Sequence, residues 1–142
     1  MIEKLEVTID VIVHATEDIA KFFESFEEMF GLIKEDFSIQ HTVGHFENPI
    51  TILSMKIVKK QATEFVEKLV RLLSKQQISQ MIDAIEERTV DSRYHIRIDK
   101  QEFIKRRIVF NEKDAIKLKI HTPIYNKKDT VKIFTEVFRI SN

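Results

Sequence analysis

The sequence contains no cysteine and no tryptophan, and it has only two glycines and two prolines. Without cysteine the chain has no disulfide, no thiol nucleophile and no thiolate metal ligand, which fits a reducing compartment. The GxGxxG loop and the P-loop need several glycines, because the backbone must approach the phosphates closely. Both of these nucleotide-binding loops are therefore excluded.

Long hydrophobic runs are also missing. No apolar stretch approaches the ~20 residues of a membrane-spanning helix, and residues 3–10 alternate charged with apolar side chains, unlike a signal peptide. The content of 43% hydrophobic and 32% charged residues is typical of an ordinary folded protein. We therefore expect one domain over residues 1–142 and a cytoplasmic location.

The formal net charge of zero hides an asymmetric distribution. Residues 1–48 carry a balance of −8, whereas residues 92–128 carry a balance of +7. Two interpretations follow. The basic block is a surface for a polyanion, or the acidic and basic blocks fold onto each other or solvate separate faces.

Apolar residues recur with two different periods along the chain. A period of two, typical of a half-buried strand, occurs in residues 4–14, 36–43, 50–58, 94–98 and 116–120, with a possible short strand at 108–110. The helical period predicts a first helix that Thr16 caps and Gly31 ends, and a second helix over residues 62–73. A third helix begins at the capping box Ser74–Gln77 and ends near Arg88. Asn126 with Asp129 caps a last helix, in which Val131 packs inward.

This order of elements predicts an α+β fold. The sheet should be mainly antiparallel, with helices covering one face and a polar opposite face. Segments 36–43 and 50–58 flank a turn that contains Gly44 and Pro49, so they should form a hairpin in which Gly44 supplies a positive φ.

The sequence offers little for catalysis or for a metal. The five histidines form no HExxH motif, and His41 and His45 only flank the hairpin turn. The carboxylates of the first helix lie on its outward face, and the GxSxG nucleophile motif is absent. We predict no enzyme activity, no metal and no cofactor.

The basic block yields a more coherent hypothesis. Strand alternation places His95 beside Arg97 on one face and Lys117 beside Lys119 on another strand, and arginine and lysine suit phosphate groups. The alternative is a sheet face that lysine and arginine merely keep soluble. The predicted phosphate contacts are Arg93, His95, Arg97, Lys100, Lys105, Arg106, Arg107, Lys117 and Lys119, and charge reversal at Arg106 and Arg107 should weaken binding.

Several short segments in a fixed order resemble one known family. They are His14-Ala15-Thr16-Glu17-Asp18, Gly44-His45-Phe46, Asn48-Pro49-Ile50, Glu87-Arg88, Arg97-Ile98-Asp99-Lys100-Gln101 and Asp114-Ala115-Ile116. Together they resemble an archaeal family of predicted RNA-binding proteins or predicted exosome subunits, formerly a domain of unknown function.

The resemblance implies a fold similar to that of the ribosomal protein that holds 5S rRNA, and RNA as a partner. It brings no catalytic residues. By matched position it adds Gln101 to Arg97 and Lys100 as candidate RNA contacts, with His45 and Asn48 in the turn. Glu47 departs from the family pattern, which usually has a small Gly there, and its carboxylate would repel phosphate.

The sequence therefore predicts a non-enzymatic RNA-binding protein that contacts phosphates through a basic sheet face and turn and is associated with RNA processing or the exosome. The alternative is a protein-interaction or oligomer-assembly module, such as a homodimer, without affinity for RNA.

Overall fold

The computed structural model describes residues 4–140. Its strands join into one six-stranded antiparallel sheet in the order β2-β3-β1-β6-β5-β4. The strands are β1 (Glu6–His14), β2 (Ser38–Val43), β3 (Pro49–Val58), β4 (Thr89–Val90), β5 (Arg93–Ile98) and β6 (Ile116–His121). The predicted hairpin is confirmed, because β2 pairs antiparallel with β3 from Ser38↔Ser54 to Val43↔Pro49.

The helices complete an α+β fold, which confirms the predicted class. They are α1 (Ile19–Phe30), α2 (Lys59–Leu72), α3 (Lys75–Asp83), α4 (Ile85–Arg88), α5 (Lys100–Phe103) and α6 (Thr130–Phe138). Within residues 4–140, none of these helices is both long and apolar enough to cross a bilayer. The likeness to the ribosomal protein and the single domain stay predictions.

Local sequence signals explain several helix ends. Gly31 ends α1 with a left-handed φ of 70°, as predicted, and Ser74 and Gln77 form both hydrogen bonds of the predicted capping box. The N-cap of α1 is Asp18 rather than Thr16, and its carboxylate accepts a hydrogen bond from the Ala20 amide.

Some boundaries differ from the predictions. The helix expected to run to Arg88 breaks at Ala84, where ψ is 9°. Residues 108–110 contribute only an isolated bridge between Ile98 and Phe110. Val131 is 40% exposed, although helical spacing predicted it inside. Gly44 has a φ of −92°, so the hairpin turn does not use the positive φ that a glycine tolerates; Phe46 has a φ of 57° instead.

The backbone forms two compact units. Unit A comprises Met1–Val7, Ile57–Ile96 and Lys119–Asn142, and unit B comprises Thr8–Lys56 and Arg97–Leu118. Each is described separately below.

Aromatic side chains form the core of each unit. In unit B, the ring centroid of Phe26 lies 5.0 Å from that of Phe37 and 4.6 Å from that of Phe103. In unit A, Tyr94 lies 4.7 Å from Phe138. Its hydroxyl donates a 2.8 Å hydrogen bond to the Met81 carbonyl, and burial raises the pKa of Tyr94 to about 12.

Truncation of Phe26 tests the core of unit B. Phe26 is 1% exposed, so Phe26→Ala should lower the free energy of unfolding by about 3–5 kcal/mol, because it removes buried surface and leaves a cavity. Phe46→Ala is the matched control, since Phe46 is 95% exposed and should change stability by less than about 0.5 kcal/mol. Urea unfolding followed by circular dichroism measures both, and equal losses would contradict this description of the core.

Candidate nucleic-acid interface

Lys100 is the most deeply buried member of the predicted basic set. It begins α5, and the Asp99 side chain caps that helix by accepting a 2.8 Å hydrogen bond from the Glu102 amide. This cap fixes where Lys100 leaves the chain, and the side chain is only 3% exposed. The assignment of Lys100 as a phosphate contact is corrected here, because its ammonium lies inside unit B.

The ammonium of Lys100 has three acceptors within unit B. It donates to Glu17 Oε1 at 3.1 Å, to Asp114 Oδ1 at 2.9 Å and to the carbonyl of Ile12. A lysine ammonium has three donor hydrogens, so these acceptors account for all of them. A buried charge that is fully hydrogen-bonded in this way serves the structure and leaves nothing for a phosphate.

The same carboxylates also meet a histidine. His14 Nε2 lies 3.0 Å from Asp114 Oδ1, and potential ligand atoms of His14, Glu17 and Asp114 all lie within 4.8 Å of one another. Such a set resembles a metal site. The Lys100 ammonium, however, donates to both carboxylates at once, so it already supplies the positive charge that a metal ion would bring.

Two carboxyl groups of this region have lowered pKa values. Burial pushes the pKa of Asp114 upward, but the hydrogen bonds from Lys100 and His14 outweigh it and hold that pKa below its ordinary value. For Asp99, the hydrogen bond from the Glu102 amide and the one from Asn111 lower the pKa. Both groups therefore stay ionised to a lower pH than usual.

The predicted arginines of unit B also have carboxylate partners. Arg106 Nε donates to Glu28 Oε2 at 2.6 Å, and Arg107 Nε donates to Glu102 Oε2 at 2.7 Å. Arg97 is half-buried, and its Nε lies 3.7 Å from Glu112 Oε2. These pairs are exposed, but each one offsets a charge that the sequence assigned to phosphate binding.

Other predicted residues remain open to solvent. Lys105 and Lys117 in unit B are exposed, and Lys119 in unit A is half-buried; none of the three forms an ion pair with an acid of residues 4–140. Arg93 in unit A is exposed, and its guanidinium donates to the carbonyl of Asp91. We call Arg93, Lys105, Lys117 and Lys119 the open cations.

The remaining two predicted contacts have mixed surroundings. His95 is half-buried on β5. Gln101 is exposed and lines a cavity of about 180 Å³ in unit B, together with Glu17 and Asp18. Lys21 also lines this cavity, so acidic and basic groups share its wall.

The aromatic side chains near the basic block are not open to solvent, and the exposed rings lie elsewhere. Tyr94 and Phe103 are buried, and Phe110 is half-buried. Phe46, on the β2–β3 hairpin, and Tyr125, after β6, are 95% and 90% exposed. Sequence reasoning did not identify either ring as exposed, although both lie in turns next to polar residues.

Replacement of Lys100 by methionine tests the buried pair. Lys100→Met leaves the mostly buried Glu17 carboxylate without its cation, while Asp114 keeps its contact with His14, and it should lower stability at pH 7 by about 1–3 kcal/mol. Lys117→Met, which removes an exposed lysine, is the control and should have little effect.

Acid titration of the same variants adds a second readout. The lowered pKa of Asp114 means that its ion pair contributes stability above the ordinary carboxyl pKa, and that this contribution is lost as pH falls through the lowered value. Wild type should therefore lose stability on acidification more steeply than Lys100→Met. Parallel pH profiles of urea midpoints would contradict the pairing.

Comparison with known proteins identifies the family of this chain. A family model described as RNA binding matches residues 6–122. The chain is similar to the uncharacterized protein MJ0213 of Methanocaldococcus jannaschii, with 30% identity over 89% of this chain and 91% of that protein. It is also similar to the RNA-binding protein PAB1135 of Pyrococcus abyssi, with 30% identity over 86% of this chain and 84% of that protein.

Solved structures agree. The crystal structure of protein AF2318 from Archaeoglobus fulgidus, a DUF54 protein, is similar with a TM-score of 0.79 and 25% identity over 93% of this chain and 97% of that chain. The fold of SSO0741 from Sulfolobus solfataricus is similar with a TM-score of 0.76, over 95% of this chain and 98% of that chain, at 23% identity. The resemblance found in the sequence is confirmed, and the chain belongs to this archaeal DUF54 family, whose model is described as RNA binding.

Proposed function

We propose that this protein binds RNA without catalysis and contacts phosphates through its open cations, Arg93, Lys105, Lys117 and Lys119. The observation that carries the proposal is that Lys105 and Lys117 are exposed and form no ion pair with an acid of residues 4–140. An unpaired lysine binds a phosphate without first giving up a carboxylate. The family description and the name of the Pyrococcus relative support RNA as the polyanion.

The ion pairs rank the predicted contacts. Arg106 and Arg107 must exchange Glu28 and Glu102 for a phosphate, which reduces the gain from each contact. Arg97 is in the same position because of Glu112. We therefore place these three arginines behind the open cations.

The surroundings of the buried Lys100 ammonium support the absence of catalysis. The donor hydrogens of Lys100 all have acceptors, and its ammonium is shielded from solvent. A catalytic group must come within hydrogen-bond reach of its substrate, and three protein acceptors already enclose this ammonium. Association with an RNA-processing complex or the exosome, and a cytoplasmic location, stay predictions from the sequence.

One observation favours the assembly module as a second candidate. Strand β2 lies at the edge of the sheet, all six of its residues are exposed, and its sequence SIQHTV has no charged residue or proline. Edge strands usually carry such residues to prevent pairing with another chain. Light scattering would detect a homodimer formed through β2, and Thr42→Pro should abolish it because proline cannot donate the backbone hydrogen bond. Such a homodimer is compatible with RNA binding.

Neutral replacement of two open cations tests the RNA interface. Lys105→Gln/Lys117→Gln should weaken binding to single-stranded poly(U), and it should reduce the slope of log affinity against log salt by about 0.7 per lost phosphate contact. Fluorescence anisotropy over a series of salt concentrations measures both quantities.

The matched comparison is Arg106→Gln/Arg107→Gln, which removes the same formal charge from two paired residues. We expect a smaller loss of affinity and a smaller change of slope. Lys60→Gln removes one charge at an exposed position of α2, close to Glu64, and controls for the effect of net charge on affinity. If the lysine double variant keeps the wild-type affinity and slope, the proposed interface is wrong.

A further inference from the structure

The segment between β6 and α6 presents an aromatic ring beside two lysines. Tyr125 is 90% exposed, and Lys127 and Lys128, two and three residues later, are exposed as well. All three belong to unit A. An aromatic ring this exposed is available for stacking on a ligand, and its hydroxyl stays hydrated.

Hydrogen bonds hold the backbone of this segment in one conformation. The Asn126 side chain accepts a 3.3 Å hydrogen bond from the Lys128 amide, and the Asp129 amide donates a 2.9 Å hydrogen bond to the Asn126 carbonyl. The Thr130 hydroxyl donates a 2.7 Å hydrogen bond to the Lys127 carbonyl. These bonds order the backbone of the two lysines directly after Tyr125, which lowers the entropy that this backbone loses when a ligand binds.

The two lysines are not neutralised by neighbouring acids. Among residues 4–140, no ion pair involves Lys127 or Lys128, in contrast to Arg106 and Arg107. Asp129 follows directly in sequence, but its carboxylate lies more than 4.0 Å from the ammonium groups of both lysines. The segment thus keeps a local positive charge beside its aromatic ring.

A ring beside cations matches the chemistry of single-stranded RNA. Each nucleotide offers a flat base that stacks on an aromatic side chain and a phosphate that attracts lysine, and proteins that bind single strands combine both contacts. One ring with polar neighbours is too small for a stable protein interface, which needs about 1,000 Å² or more of buried surface. These features favour a nucleotide over a protein as the ligand.

The other exposed aromatic residue lacks this combination. Phe46 is also solvent-exposed, but Glu47 follows it and the turn from Gly44 to Asn48 contains no lysine or arginine. A phosphate next to a base stacked on Phe46 would meet a carboxylate. Phe46 is therefore a natural comparison for Tyr125.

We propose that Tyr125, Lys127 and Lys128 form a binding site for a single-stranded RNA segment, in which a base stacks on Tyr125 and the lysines contact adjacent phosphates. The site deepens the proposed RNA binding and rests on it. It also lies beyond residues 6–122, which the family model matches, so it belongs to a part of the chain that the family description does not cover.

Poly(U) binding by three variants tests the site. Tyr125→Ala should weaken binding about tenfold with little change of salt slope, because stacking is not ionic, and Tyr125→Phe should retain the wild-type affinity. Lys127→Gln/Lys128→Gln should reduce the salt slope by about 0.7 per contact. Phe46→Ala is the matched control for loss of an exposed ring and should bind as wild type does.

Tyrosine fluorescence gives a direct readout of stacking. The chain has no tryptophan and only two tyrosines, and Tyr94 is buried. Poly(U) should quench the fluorescence of the wild type, and Tyr125→Ala should lose this quenching. Circular dichroism of the variants establishes that they are folded.

The outcomes separate this site from the interface proposed above. If Tyr125→Ala binds poly(U) with wild-type affinity while Lys105→Gln/Lys117→Gln binds more weakly, the Tyr125 site is overturned and RNA binding stands. If the wild type binds no RNA at all, both proposals fail together. An equal loss in Phe46→Ala and Tyr125→Ala also overturns the site, since the lysines would then have no part in it.

Discussion

The burial of the Lys100 ammonium among its three acceptors is the interaction that joins the basic block to the acidic N-terminal block. Glu17 in the acidic block receives the buried ammonium of Lys100, and Glu28 receives the guanidinium of Arg106. In unit A, His121 lies 3.8 Å from Glu6. The buried member matters most, because an ammonium removed from water requires all of its hydrogen bonds to be satisfied. Two pairs between opposite charges of the two blocks thus help to hold unit B together.

This pairing determines what remains for RNA. Four of the eleven Lys and Arg side chains of residues 92–128 pair with carboxylates, and the neutral net charge provides no strong long-range attraction. Binding of this kind has modest affinity and a moderate response to salt. Stacking on an exposed ring then supplies a larger share of the binding free energy, so Tyr125 should contribute alongside the lysines.

Much of the fold was predictable because it follows local rules. The alternation in β1, the glycine that ends α1 and the capping box at Ser74 are signals that short segments carry by themselves. The site was harder to predict, because Lys100 and Lys105 look alike in a basic segment. Only the tertiary fold brings Glu17 and Asp114 to Lys100 and leaves Lys105 exposed, through contacts between residues up to 83 positions apart. The helix end at Ala84 and the exposure of Val131 likewise depend on contacts between elements, which the spacing of apolar residues does not predict.

The salt dependence of wild-type binding to poly(U) tests the central claim most directly, because its slope counts the phosphates that the protein neutralises. The four open cations, alone or together with Lys127 and Lys128, predict a slope of log affinity against log salt between about −3 and −4. A slope of about −7 or steeper would mean that the whole basic block binds phosphates, and that its ion pairs do not restrain it. That result, or a flat dependence, would contradict the account.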